Sequence, residues 1–74
     1  MTTKPHNLPK VKSGMASHAD YDAHAQKLTV RFHNGSVFQY DTVPANIGAT
    51  VMGAQSFGSA FNRHVVGKFA GRKL

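Results

Sequence analysis

Leu28-Thr29-Val30-Arg31-Phe32, then His33-Asn34-Gly35, then Ser36-Val37-Phe38-Gln39-Tyr40: two runs rich in β-branched and aromatic residues flank an Asn-Gly pair. That arrangement is the strongest short-range hairpin signal a sequence offers. Two closures are open. With Asn34-Gly35 as the centre of a type I′ turn, His33 pairs with Ser36 and Phe32 with Val37. Leu28, Val30 and Phe32 then share a face with Val37, Gln39 and Asp41, while Phe38 and Tyr40 lie opposite. With His33-Asn34-Gly35 as a three-residue loop and Gly35 as its left-handed bulge, Phe32 pairs with Ser36 instead. Leu28, Val30, Phe32, Phe38 and Tyr40 then line one face. A one-residue slip flips every side chain of a strand, so the two registers exclude each other. The bulged register is favoured, because a small domain can ill spare two exposed aromatics or a buried Asp41.

The chain has 74 residues and no cysteine. It reads as a single domain near the lower size limit for folding without staples, with neither a disulfide framework nor a thiolate metal site. No apolar run approaches the ~18 residues of a membrane span, and no stretch resembles a secretion signal. A soluble, cytoplasmic, monomeric protein is expected, without contact with a membrane.

Nine Lys and Arg against three Asp and no Glu give a formal charge of +6. Residues 1–12 carry +3, residues 63–74 carry +4 and the centre is nearly neutral. Positive ends favour an anionic partner, nucleic acid or an acidic protein surface, by speeding encounter. Solubility alone is the plainer explanation of the same charge.

Pro5, Pro9 and three Lys mark 1–12 as a flexible basic arm. A first strand is expected over 14–22, with Ala16, His18 and Asp20 on one face and Met15, Ser17, Ala19 and Tyr21 on the other. Its polar side suits an edge strand. After Tyr40 the period changes. Val43-Pro44 opens a helix, with Pro44 suited to the first helical position. Ile47, Val51 and Ala54 give its stripe, weakened by Gly48 and Gly53, which each cost ~1 kcal/mol inside a helix. A second helix starts at Ser56 as cap, with Phe57, Phe61 and Val65 as one apolar ridge and Gly67 as its stop. Phe69 packs back, and 71–74 is expected to fray. The order is β-β-β-α-α: an α+β fold in which two helices cover one face of a three-stranded antiparallel meander.

These residues resemble the KTSC domain, a small module found at the C-terminus of some lysyl-tRNA synthetases and also alone as a short bacterial or phage protein. The resemblance runs from Ser13 to about Phe69. It rests on Tyr21-Asp22, on Leu28, Val30, Phe32 and Gly35, on Val37-Phe38-Gln39-Tyr40, and on Val43-Pro44. Ala54, Ser56, Gly58, Phe61-Asn62, Val65 and Phe69 continue it. Phe38 stands where the family's Tyr-x-Tyr places its first phenol. For the family as a whole RNA binding is a suggestion. Within it the chain is similar to a small phage regulator of transcription. That likeness implies binding to a subunit of host RNA polymerase, inhibition of host transcription and a place in the host cytoplasm.

Catalysis has little support: there is no Glu or Cys, and no phosphate loop, nucleophile elbow or carboxylate pair. No cofactor is expected, and no enzyme. His18, Asp20, Asp22 and His24 crowd one strand and turn, but the turn leaves the direction of His24 unreadable, and solvated polar groups of an edge strand explain them better than a metal. Arg31, His33 and Gln39, with Val37 beside them, fall on the face opposite the aromatics. Arg63 and His64 flank the Phe57–Phe61–Val65 ridge, and Lys68, Arg72 and Lys73 extend a cationic end. These eight polar residues are the candidate contacts. A protein partner, host RNA polymerase, is preferred; RNA or DNA held by the basic ends is the alternative.

Overall fold

The computed structural model describes residues 10, 11 and 14–74. Of the expected basic arm, only Lys10 and Val11 fall among these; the remainder lies outside the described residues. The elements are strands β1 (Ala16–Asp22), β2 (Lys27–Phe32) and β3 (Val37–Tyr40), helices α1 (Ala45–Met52) and α2 (Phe57–His64), and a short strand β4 (Gly71–Lys73). The sheet is antiparallel in the order β1-β2-β3-β4.

The hairpin adopts the bulged register. Leu28 pairs with Tyr40 and Val30 with Phe38, and Phe32 N–H donates to the Ser36 carbonyl at 2.8 Å. Gly35, at φ +90°, takes the left-handed position that costs an L-residue about 1–2 kcal/mol. The Asn34 side chain accepts from Ser36 N–H and closes the loop. Leu28, Val30, Phe32, Phe38 and Tyr40 therefore face the helices.

Under that face lies the core of Ala16, Ala19, Leu28, Val30, Val43, Val51, Phe57, Phe61 and Val65. The expected ridge of α2 is fully inside. Phe61 is its centre: its ring meets those of Phe32 at 6.1 Å, Tyr40 at 5.3 Å and Phe57 at 5.6 Å. Ser56 caps α2 by accepting from Ser59 N–H at 3.4 Å. Phe69 packs back against the core as expected.

Four local expectations change. Ala16 does not side with His18 and Asp20, because the register shifts between Ala16 and His18; this bulge turns both Ala16 and Ala19 into the core. Pro44 sits one position earlier than expected, as the N-cap, where its extended ψ of 157° ends the preceding segment. Gly53 is the C-cap rather than an interior residue, and its N–H returns to the Ala49 carbonyl. Residues 71–73 form a strand. They pair with 38–40, and Leu74 N–H donates to the Val37 carbonyl at 2.8 Å, adding a fourth strand to the meander.

Gly48 explains itself by contact. A Cβ there would lie 2.5 Å from the Tyr21 ring, whose hydroxyl donates to the Val43 carbonyl at 2.6 Å. Helix α1 reaches the sheet only because that side chain is missing. Beside this contact Tyr21, Ala23, Ala45, Ala49 and Met52 line a shallow apolar hollow of about 440 Å³.

Candidate functional site

Alternation puts every second residue of the strands on the face away from the helices. Pairing then arranges them in rows. His18 lies opposite Arg31, and Arg31 opposite Val37. Leu74 continues that row through its bond to Val37. The next row is Asp20, Thr29, Gln39 and Arg72. Asp22 and Lys27 begin a third, where the Lys27 ammonium stands 3.6 Å from Asp41 Oδ1. That carboxylate oxygen is shielded from water and has no hydrogen bond, so the nearby ammonium is what compensates its charge. Both side chains remain more than a third exposed, and the pair contributes at most about 1 kcal/mol.

The second row is held together by side chains. Arg72 Nη2 donates to Gln39 Oε1 at 3.1 Å, and Gln39 Nε2 donates to Thr29 Oγ1 at 3.3 Å. Thr29 is buried under this cover, at 9% exposure. Apart from the His18 imidazole opposite Arg31, no aromatic ring lies in these rows. On the covered side, burial raises the Tyr40 phenol above its ordinary 10.0, the neutral form being easier to desolvate.

The structure divides the eight candidate residues. Arg31, Gln39 and Arg72 meet on the open face, with His33 in the hairpin loop at its end. Lys73 sits on the same strand as Arg72 but opposite Phe38, toward the helix side. Arg63 and His64 are in the last turn of α2 and border a separate hollow of about 280 Å³ with Thr50, Ala54, Ser56, Ser59 and Ala60. Lys68 is exposed in the turn after α2. Of the five candidates in 63–73, Arg72 is the one paired into the rows of the open face. Sequence reasoning missed Thr29 and Leu74; alternation with Arg31 could have pointed to Thr29, whereas Leu74 depends on a strand that was not foreseen. Among the described residues no group of three His, Cys, Asp or Glu side chains is placed to hold a metal ion. No helix among them is long and apolar enough to cross a membrane.

A small antiparallel sheet with two helices on one face and a polar, charged face left open defines an α+β domain. The family model described as the KTSC domain matches residues 12–69, and the chain belongs to that family. The crystal structure of a KTSC domain protein from Yersinia pestis is similar to it, with a TM-score of 0.82 and 31% identity over 90% of this chain and 94% of that one. A lysine–tRNA ligase of Nostoc punctiforme is 33% identical over 67 residues, 90% of this chain. A lysine–tRNA ligase of Trichormus variabilis is 35% identical over 54 residues, 73% of this chain. The chain spans only 12% and 10% of the length of those two ligases.

Proposed function

We propose that this chain is a non-enzymatic binding module that docks on a subunit of host RNA polymerase, in the host cytoplasm, and lowers the use of host promoters. The observation that carries a protein partner is the composition of the open face. Phe32, Phe38 and Tyr40 are turned under the helices, and the face itself offers Arg31 and Arg72 with no Phe, Tyr or Trp beside them, only the His18 imidazole opposite Arg31. Guanidinium groups without a Phe, Tyr or Trp platform suit paired carboxylates of a protein surface better than unstacked bases. The polymerase as partner rests on the likeness to a phage regulator. Tagged chain incubated with host lysate is expected to retain polymerase subunits and to depress run-off transcription from purified holoenzyme. Retention of no polymerase subunit defeats the reading.

RNA is the second reading, favoured by one observation: two relatives that contain this region carry the name lysine–tRNA ligase. Lys and Arg contacts to Z phosphates give a log–log salt slope of about −0.7Z on single strands. A titration without binding at low salt removes it.

A further inference from the structure

Arg72 on the three-residue edge strand β4 is exposed, yet its guanidinium is not left to wander. Gln39 holds it at 3.1 Å, and Gln39 is itself held by Thr29 at 3.3 Å. A long side chain fixed in advance loses less rotamer freedom when a partner arrives. Its remaining N–H donors keep the fork geometry that carboxylates match. One row away, Val37 is half-buried and Leu74 is 54% exposed. Arg31 closes the same row on the other side of Val37. Neighbouring strands lie about 4.8 Å apart, so Arg31 and Leu74 stand roughly 10 Å from each other across the face. An apolar pair is thus framed by two guanidiniums, one of them pre-positioned.

We propose that Arg31, Val37, Gln39, Arg72 and Leu74 form the docking face for an acidic protein segment that places one apolar side chain on Val37 and Leu74 between two carboxylates. This rests on the reading that the partner is a protein. Charge complementarity selects the occupant: the patch of Arg31, Val37, Gln39, Arg72 and Leu74 holds two guanidiniums and no carboxylate, with Asp20 and Asp22 on the far strand and Asp41 beside Lys27. Its centre is apolar Val37 and Leu74 rather than a Phe, Tyr or Trp ring for a base. Gln39 is the positioning residue, since it carries no charge and acts by aiming Arg72. Arg63, His64 and Lys68 are outside the site.

Isotope-labelled full chain titrated with a short synthetic peptide of Glu and Asp with one central Leu tests this by NMR. Amide shifts are expected at Arg31, Val37, Gln39, Arg72 and Leu74. Gln39→Leu keeps every charge and is expected to weaken the peptide roughly fivefold, the worth of one hydrogen bond, while Arg72→Gln weakens it further. Removing the same charge by Arg63→Gln is the comparison, with no change expected. Shifts on α2, a Gln39→Leu affinity equal to wild type, an equal loss with Arg63→Gln, or the same shifts at equal affinity with oligouridine each overturn the proposal. Peptide binding on this face without retention of polymerase overturns the polymerase reading alone. Retention of polymerase that Gln39→Leu and Arg72→Gln leave intact, with no peptide shifts, overturns the face alone.

Discussion

Gly48→Ala is a substitution that helix propensity and packing judge with opposite signs. Propensity favours Ala over Gly by about 1 kcal/mol inside a helix. Against that, the new methyl would sit 2.5 Å from Cε2 and Cζ of Tyr21, and inserting a carbon into a filled site costs about 1–3 kcal/mol. Moving the ring aside also breaks the 2.6 Å bond from its hydroxyl to the Val43 carbonyl, worth another 0.5–1.5 or so kcal/mol. The balance is a destabilisation near 2 kcal/mol, or roughly 8–16 °C in Tm for a domain of this size. Urea unfolding followed by circular dichroism measures it. In a Tyr21→Val background the ring is gone, and the same substitution should stabilise by about 1 kcal/mol. Destabilisation of similar size in both backgrounds, or stabilisation in both, would refute the claim that Tyr21 requires the glycine.

Gly35→Ala should cost about 1–2 kcal/mol because it forces an L-residue into the left-handed bulge position, with Gly35→Asn costing less; equal stability of all three in urea would contradict the loop geometry. Phe61→Ala empties the centre of the aromatic cluster and should remove about 3–5 kcal/mol. That is comparable to all a small core supplies, so cooperative thermal unfolding should vanish, and a retained sharp transition would place the core elsewhere. Tyr40 contributes to pH dependence with a definite sign. Its folded-state pKa lies above the unfolded value, so its contribution is complete below the ordinary phenol range and is lost as pH rises through the folded value. Phenolate absorbance, assigned with Tyr40→Phe, should show a later midpoint in native than in denatured protein; an earlier one refutes the burial argument.

The hairpin was legible because its aromatics alternate consistently in one register and inconsistently in the other. The α2 ridge was legible because Phe57, Phe61 and Val65 recur at helical spacing. Less was readable where a single backbone irregularity reverses a face. Nothing in Ala16-Ser17-His18 announces the bulge that sends Ala16 inward. Gly71-Arg72-Lys73 has neither β-branched nor apolar alternation, so β4 follows from its partner strand rather than from its own residues. The arrangement of the candidate site suffers from the same gap. Arg31 and Gln39 could be assigned to one face from the hairpin, whereas Arg72 joins them only through β4. Arg63, His64 and Lys68 neighbour it in sequence and not on that face.

That last strand also governs when the open face exists. Strands β1 to β3 follow one another through short turns and can pair by local search, whereas β4 must return to β3 past both helices, closing a long loop before any bond rewards it. Three residues anchor it, so it belongs among the first elements to open and the last to close. The Thr29–Gln39–Arg72 chain of bonds spans β2, β3 and β4 and is complete only while β4 is docked. Slow-exchanging amides should therefore be sought in β2, and fast ones at Asp41 and Leu74, whose N–H groups bond to Ala70 and Val37. A ligand gripping Arg72 would draw on that breathing edge, and its arrival would be felt as added protection at these two positions.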